Sequence, residues 1–174
     1  KLIDGDRSIV LYATMLNHFL SLLSKGLYSK FISEIKIGII TTAYANGALI
    51  SYVQSKLDGL NLVLAKTGVK YLHEKAKNFD ISVYFEANGH GTIYINETTK
   101  GKFEKMNCFV ESSRDSQVLE LMQYYITMFN PTTGDALSSL IATESALRTL
   151  DLKAENIIGM YEELFSKNAK VGVK

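Results

Sequence analysis

The 174 residues carry 19 basic and 18 acidic side chains, a net charge of +1, and 47% of them are apolar. This composition argues against disorder and against a dedicated nucleic-acid surface. No apolar run approaches the roughly 18 to 20 residues of a membrane span. We therefore expect neither nucleic acid nor a membrane as a partner. Cys108 is the only cysteine, which leaves no internal disulfide and favours a cytoplasmic protein.

Helical and strand patterns alternate in the first half of the chain. Apolar spacing predicts one helix from Asp4 to Gly26, with Asp4 or Asp6 as its N-cap and Gly26 as its end. Short, β-branched apolar runs predict buried strands, and the last run follows two glycines, which favours a hairpin with the run before it. The predicted strands are residues 36–42, 60–65, 81–87 and 91–96, and helices are expected at residues 43–59 and 67–79.

The second half of the chain is mostly helical in its pattern. The polar segment from Glu97 to Arg114 is the exception, and we predict a loop or an irregular hairpin there. Asp135 can cap one of the helices, and Pro131 separates two of them. Helices are predicted at residues 115–130, 134–150 and 154–165, and the tail at 166–174 is expected to be frayed or to begin a linker.

The order of these elements predicts the fold class. Strands separated by helices form right-handed βαβ units and a mostly parallel sheet, and the short last connection makes the sheet mixed. We therefore expect residues 1–174 to form a single α/β domain. It would contain a mixed, mostly parallel four-stranded sheet flanked by helices, with a helical C-terminal part.

A ligand site is expected at one edge of this sheet. In open α/β sheets, ligands bind outside the carboxyl ends of the parallel strands. Three loops follow those ends, and each of them carries glycine and polar side chains. They are Thr41–Gly47, Ala65–Lys70 and Glu86–Gly91.

The third loop, within "YFEANGHGT", has side chains suited to a polyol. Glu86 can accept hydrogen bonds from two neighbouring hydroxyls, and Asn88 offers both a donor and an acceptor. Gly89 and Gly91 permit a positive φ and a close approach of ligand to backbone. His90 can donate to a phosphate or hydroxyl, or transfer a proton. On spacing alone, however, an Asn flanked by glycine in a hairpin is more often a turn former.

The second loop adds positive charge to the same edge. Lys70 supplies a point charge suited to a phosphate or to an ionising hydroxyl. Thr67 and the N–H groups of Gly68 and Val69 lie at a predicted helix start, which favours anions. A lysine on a helix is more often simply solvated, so the residue pattern by itself indicates only a polar site at the strand ends.

The motifs in these loops closely resemble the phosphoacetylglucosamine mutases, a family of the α-D-phosphohexomutase superfamily. The similar segments are "TAYANG", "KTGVKYLHEKA" and "YFEANGHGT", together with "LIDGDR" and "GDALSSLIATESAL". The resemblance is strongest from Lys36 to Thr92, and the segment from Asn96 to Arg114 does not resemble the family. Asn88 stands where the wider superfamily more often has Ser. In this departure the chain resembles the acetylglucosamine branch of the superfamily.

The resemblance implies that the chain is the third, sugar-binding domain of a four-domain enzyme with a phosphohexomutase-type fold. Such an enzyme interconverts N-acetylglucosamine 6-phosphate and 1-phosphate, in UDP-N-acetylglucosamine synthesis, through a phosphoserine and a bisphosphate intermediate. The resemblance implies a proton-transfer role for Lys70. It implies substrate binding by Glu86, Asn88, His90, Thr67 and Gly68.

The resemblance also implies that much of the enzyme lies outside this chain. The family's serine loop, its metal loop and its last, phosphate-binding domain have no match in this sequence. The segment "DGDR" lacks the third Asp of the metal loop. Two acids at a helix start, such as Asp4 and Asp6, are more often helix caps than metal ligands. We therefore expect as partners a hexosamine phosphate and the missing domains, which would hold the Mg²⁺ ligands and the phosphoserine. The 174-residue chain alone is expected to lack mutase activity.

Two alternatives remain open from the sequence. The first is another phosphohexomutase, acting on glucose or mannose phosphates, against which Asn88 argues. The second is a non-catalytic module that binds sugar phosphates. The reading frame on either side of this chain would decide the second alternative.

Overall fold

The fold is built on a four-stranded sheet with helices on both faces. The computed structural model describes residues 2–108, 110, 112–165 and 167. The strands are β1 (Ile37–Thr42), β2 (Leu60–Ala65), β3 (Ile81–Phe85) and β4 (Gly91–Ile95). The helices are α1 (Gly5–Leu22), α2 (Lys25–Glu34), α3 (Gly47–Lys56), α4 (Val69–Ala76), α5 (Glu97–Asn107), α6 (Ser113–Thr127), α7 (Ala136–Thr149) and α8 (Ala154–Gly159).

The sheet has the order β2-β1-β3-β4. Strand β1 pairs in parallel with β2 and β3, whereas β4 is antiparallel to β3 and joined to it as a hairpin. The predicted fold class, a mixed and mostly parallel four-stranded sheet flanked by helices, is therefore confirmed. No helix among the described residues combines the length and the apolarity that crossing a bilayer requires.

Helix α1 forms the centre of the larger hydrophobic core. It packs against β3 and also contacts α3, α6, α7 and α8. Because successive strand side chains point to opposite faces, Ile37 and Ile39 join α1 in this core, while Ile40 and Tyr84 join Leu72 of α4 on the other face. Asp4 caps α1 as predicted, since its Oδ1 accepts the Arg7 N–H at 3.0 Å.

The predicted helix from Asp4 to Gly26 is wrong at its C-terminal end. Helix α1 stops at Leu22, and Gly26 lies in the first turn of a second helix, α2. The break is fixed by a long-range contact, because the backbone N–H of Ser24 donates to Asp115 Oδ1 at 3.0 Å. Helix α2 itself buries only Leu27 and Phe31, so its sequence pattern is weak.

The prediction of a loop or irregular hairpin from Glu97 to Arg114 is also wrong. Most of this segment is α5, and the Asn96 side chain caps the helix by accepting the Thr98 N–H at 3.1 Å. The buried stripe of α5 is narrow, and nearly all other positions are polar, so the apolar periodicity is faint. The stripe consists of Thr99, Phe103 and Met106.

The last helix is shorter than the predicted 154–165, and a buried arginine binds its last turn and the chain that follows it. The Arg7 guanidinium is 2% exposed, and its Nη1 donates to the carbonyl oxygens of Ile158 and Tyr161, both at 2.8 Å. Its Nη2 forms an ion pair with Glu163 at 2.9 Å. The prediction for the tail, 166–174, lies outside the described residues apart from Lys167.

The start of α1 is packed so closely against the β3–β4 connection that only glycine fits there. The Gly5 N–H donates to Ala87 O at 3.1 Å, and a Cβ on Gly5 would overlap the Glu86 carbonyl oxygen. Close packing at this point therefore fixes the distance between α1 and the connection.

Replacing Gly5 by alanine should consequently destabilise the protein. We expect Gly5→Ala to lower the free energy of unfolding by about 1–3 kcal/mol, since backbone must move to admit the methyl group. Gly26→Ala is the matched control, because Gly26 also lies in a first helical turn but has open space around it. The control should be neutral or more stable by up to about 1 kcal/mol. Urea unfolding measures both, and equal effects of the two substitutions would contradict the packing argument.

Candidate functional site

The connection between β3 and β4, residues Glu86–His90, is a tight turn that we call the hairpin loop. The Glu86 N–H donates to His90 O at 2.8 Å, and the Gly89 N–H donates to Glu86 O at 2.9 Å. Gly89 has a φ of +91°, a conformation that favours glycine. Strand β3 ends at Phe85, so Glu86, Asn88 and His90 do not continue its alternation, contrary to the strand predicted to residue 87.

Asn88 is the residue that forms this turn. Its Oδ1 accepts the His90 N–H at 2.9 Å, which is the local bonding typical of Asn in turns. Within the described residues, the Asn88 side-chain nitrogen and the His90 ring make no hydrogen bond, and both side chains are exposed. The turn-forming role therefore leaves Asn88 with a free donor, and it does not exclude a role in binding.

The second loop meets the hairpin loop through Glu86. The Gly68 N–H donates to Glu86 Oε1 at 2.9 Å, and Gly68 is the residue before the first turn of α4. The side chain of Glu86 is half-buried, and no bond within the described residues uses its Oε2. A carboxylate at a helix N-terminus is stabilised by the free N–H groups and by the helix dipole.

This contact corrects one expectation from the sequence. The Gly68 N–H was expected to be available to an external anion, but the Glu86 carboxylate already occupies it. Thr67 and Lys70 stand beside it with exposed side chains. The Lys70 ammonium lies 4.9 Å from the centre of the Tyr71 ring, a cation–π contact that leaves it accessible.

The first loop reaches the same edge through Asn46, which the sequence did not single out. The Asn46 N–H donates to Asp6 Oδ2 at 3.3 Å, and the Asn46 side chain caps α3 by accepting the Ala48 N–H at 3.0 Å. The same side chain pairs with the Leu164 backbone, donating to its carbonyl at 2.9 Å and accepting its N–H at 3.1 Å. The "NG" of "TAYANG" could have indicated the cap, but nothing local indicates the long-range partners.

Asp6 is the most unusual carboxyl at this edge. It is 6% exposed, and its Oδ1 is buried with no hydrogen-bond partner in the described part of the chain. Burial raises the pKa of Asp6, and the nearby charges of Asp4 and Glu163 raise it further. The Asn46 N–H and Arg7 oppose that rise.

A cleft of about 300 Å³ opens beside the hairpin loop. Its walls include His90 and Gly91 on one side and Gly134, Asp135 and Ser139, at the start of α7, on the other. Asp135 caps α7 as predicted, since its Oδ1 accepts the Leu137 N–H at 3.0 Å. A small polar ligand could therefore contact the hairpin loop and the first turn of α7 together.

The side chains that the structure describes at this edge are not arranged as a metal centre. Across the described ranges, no three His, Cys, Asp or Glu side chains are grouped so that they could hold a metal ion. Asp4 is engaged as the cap of α1, and one Asp6 oxygen is engaged by Asn46. The arrangement is instead suited to hydroxyl recognition by a held carboxylate, a free amide donor and an accessible lysine.

Comparison with known proteins identifies a family with this fold. The family model described as "Phosphoacetylglucosamine mutase AMG1, domain III" matches residues 4–152. Phosphoacetylglucosamine mutase 1 of Schizosaccharomyces pombe is 39% identical over 172 residues, which are 99% of this chain and 31% of that protein. The human phosphoacetylglucosamine mutase is 34% identical over 99% of this chain and 30% of its own length.

Solved structures give the same result. The crystal structure of Aspergillus fumigatus N-acetylphosphoglucosamine mutase in complex with GlcNAc-6P and magnesium matches with a TM-score of 0.83 and 34% identity, over 94% of this chain and 31% of that one. An apo-form N-acetylglucosamine-phosphate mutase matches with a TM-score of 0.81, also at 34% identity; 94% of this chain aligns with 34% of that one.

The fold is thus that of a domain of the α-D-phosphohexomutase superfamily. Within that class, the chain belongs to the phosphoacetylglucosamine mutase family and corresponds to its domain III. It spans about 30% of the length of these relatives.

The raised pKa of Asp6 predicts a specific pH dependence of stability. Because the folded state holds the proton more tightly than the unfolded state, whose pKa is near 3.8, this contribution is fully present below that pH. It is lost as the pH rises through the folded-state pKa. The stability of the wild type relative to Asp6→Asn should therefore fall as the pH increases from about 3.8 towards 7.

Chemical unfolding of both proteins across this pH range measures the difference. Repeating the unfolding at high salt separates the two causes of the raised pKa, which are burial and nearby negative charge. Salt screens the exposed Glu163 charge but does not change the burial of Asp6. A difference that stays constant with pH would mean that the Asp6 carboxyl titrates alike in both states.

Proposed function

We propose that this chain is the sugar-recognition domain of a cytoplasmic phosphoacetylglucosamine mutase. The parent enzyme would interconvert N-acetylglucosamine 6-phosphate and 1-phosphate, for UDP-N-acetylglucosamine synthesis, through a phosphoserine enzyme and a bisphosphate intermediate. The observation that carries the proposal is the Glu86 carboxylate, held at the meeting point of two loops in a domain of this family. The solved A. fumigatus relative, whose complex contains GlcNAc-6P, supports the substrate class.

The hairpin loop would recognise neighbouring hydroxyls of the sugar. The Gly68 N–H fixes one oxygen of Glu86 and leaves the other, Oε2, without a partner among the described residues, so that Oε2 would accept from hydroxyls. Asn88 would donate from its free side-chain nitrogen, because its oxygen is used by the turn. Such preorganised groups cost little ordering on binding.

The remaining candidate residues would surround this pair. His90 has an exposed ring next to the cleft and would donate to a hydroxyl or phosphate oxygen. Thr67 and Gly68 would border the sugar from the second loop, with Gly68 acting through Glu86. Lys70 would take part in proton transfer at a reacting hydroxyl, as a donor when charged and as an acceptor only when neutral, since its side-chain nitrogen is accessible.

Other parts of the chemistry would be supplied by the rest of the parent polypeptide. The magnesium ion named in the A. fumigatus complex would be held outside this domain, because the described carboxylates at this edge are not grouped into a ligand set. The phosphoserine would also lie elsewhere. In this proposal residues 1–174 act as one domain, and their partners are the substrate and the remaining domains.

Glu86 can be tested with two substitutions in the parent enzyme. Glu86→Ala should lower kcat/KM by about tenfold or more, because the unpaired hydroxyls and the freed Gly68 N–H each cost roughly 1–3 kcal/mol. Glu86→Gln keeps an oxygen for Gly68 but loses the charge, so it should also lose activity. Glu104→Ala, at an exposed glutamate of α5, is the control and should retain wild-type activity.

Steady-state kinetics on N-acetylglucosamine 6-phosphate distinguishes the roles of Glu86. If Glu86→Gln matched the wild type while Glu86→Ala lost activity, Glu86 would only hold the loops together. If neither changed, Glu86 would not belong to the site.

The substrate class is tested by turnover of the full-length parent. N-acetylglucosamine 6-phosphate should be converted with a higher kcat/KM than glucose 6-phosphate, and only with magnesium present. The purified 174-residue chain is the control and should show no turnover. An equal or reversed preference would indicate another phosphohexomutase, and no turnover of either sugar would indicate a non-catalytic binding module.

A further inference from the structure

A groove of about 410 Å³ lies at the end of β4 that is far from the hairpin loop. Its walls include His73, Tyr94, Ile95, Glu97 and Pro131, and we call it the β4 groove. Strand β4 begins next to the hairpin loop and ends at this groove, and its five residues span about 13 Å. The volume of the groove falls in the range of roughly 300–1,000 Å³ that is usual for small-molecule sites.

Strand β4 lies at an edge of the sheet, so half of its backbone groups point away from β3. The Asn96 N–H, directly after the strand, donates to Asp80 O at 2.8 Å. Backbone groups alternate in direction along an antiparallel strand, so Tyr94, two residues earlier, also bonds to β3. The N–H and C=O groups of Ile93 and Ile95 therefore point to the outer edge.

These outward groups are free over a short stretch. In the described part of the chain, no hydrogen bond engages the outward N–H or C=O of Ile93 or Ile95. The segment before α7 covers one end of the edge, since a Cβ on Gly134 would lie 3.2 Å from Gly91 O. Helix α5 begins at Glu97 and closes the other end. A further β-strand would find little room, whereas the Ile93 carbonyl and the Ile95 N–H form one adjacent acceptor and donor.

Aromatic rings stand beside this acceptor and donor. Tyr94 is the residue between Ile93 and Ile95, and its ring lies 5.4 Å from that of His73 with the two planes at 85°. The His73 ring is held in its turn, because its Nδ1 is hydrogen-bonded to the Tyr84 hydroxyl at 2.9 Å. Aromatic side chains bind planar rings by stacking or by edge-to-face contact. The groove thus combines a ring-binding wall with a hydrogen-bonding edge.

The charge of the β4 groove excludes an anionic ligand. Its lining residues, all within the described ranges, include neither lysine nor arginine, and Glu97 contributes an exposed carboxylate. A phosphate placed there would be repelled, whereas an uncharged ring would not.

We propose that the β4 groove binds an uncharged planar heterocycle of the nucleobase class, with a hydrogen-bond donor and an acceptor on one edge. The ring would pair with the Ile93 carbonyl and the Ile95 N–H and would stack on Tyr94. Adenine and uracil both carry such an edge. Free nucleosides and nucleotides share these bases, so the site is defined by the base. It goes beyond the proposed function, since it uses neither the hairpin loop nor the sugar.

Binding of nucleosides to the full-length polypeptide tests the proposal. In isothermal titration calorimetry, adenosine or uridine should bind with a Kd below about 1 mM, and free ribose should bind at least about tenfold more weakly. Absence of binding by both nucleosides would overturn the proposal. An excess of N-acetylglucosamine 6-phosphate should not displace the nucleoside. Displacement would assign the nucleoside to the sugar site instead and would also overturn the proposal.

Methylated nucleosides test the hydrogen-bonding edge without any change to the protein. 3-Methyluridine and N6,N6-dimethyladenosine keep a planar ring but lack the donor of the paired edge. Each should bind at least about tenfold more weakly than its parent nucleoside, because the acceptor in the groove is left unpaired. Equal affinities of methylated and parent nucleosides would contradict the assignment.

Substitutions of Tyr94 test the stacking. Tyr94→Leu should weaken nucleoside binding at least about fivefold, whereas Tyr94→Phe keeps the ring and should bind like the wild type. Tyr124→Leu is the matched control, because Tyr124 is an exposed tyrosine of α6 outside the groove, and it should leave the affinity unchanged. Equal affinities of Tyr94→Leu and Tyr94→Phe would sink the proposal.

Nucleoside monophosphates separate the two sources of the base. Adenosine and uridine monophosphates should bind no more tightly than the nucleosides, because the groove supplies no cation for the phosphate. Equal binding supports recognition of the base alone, whichever molecule carries it. A tenfold gain from the phosphate would overturn the proposal of an uncharged ligand. These measurements need no turnover, so their failure leaves the proposed mutase function standing, and the reverse holds as well.

Discussion

The close approach of α1 to the hairpin loop is the constraint on which the site depends. Gly5 donates to Ala87 and has no room for a side chain, so the most buried helix of the domain directly supports the loop that carries Glu86. The position of the loop is therefore set by contacts with the core. A turn of five residues on the surface would otherwise be among the more mobile parts of such a domain.

Glu86 combines a structural bond with its proposed role in recognition. One of its oxygens satisfies the Gly68 N–H at the start of α4, and the other stays free at the sheet edge. The residue thus ties the second loop to the third and keeps one acceptor oxygen without a partner among the described residues. A carboxylate held in this way does not have to lose side-chain freedom when a hydroxyl arrives, which is the physical benefit of a preorganised group.

The sequence was most informative where local chemistry decides the structure. Strands β1 to β4 are short apolar runs between turn residues, and the meeting of their loops at one edge follows from parallel pairing. Helices α2 and α5 were missed because their buried stripes are narrow and their remaining positions polar. The Glu86–Gly68 bond and the burial of Asp6 could not be predicted, since both depend on residues that meet only in the folded chain.

The bonds made by Arg7 and Asn46 have a topological consequence. They tie residues 158–164 to the start of α1 and to the loop before α3, so the two ends of the folded unit lie side by side at the edge that carries the candidate site. Such a unit can be inserted within a longer polypeptide as a cassette, because the interrupted chain leaves it close to where it entered. A longer or shorter loop inside the domain would then hardly change how the segments before and after the domain are placed relative to each other.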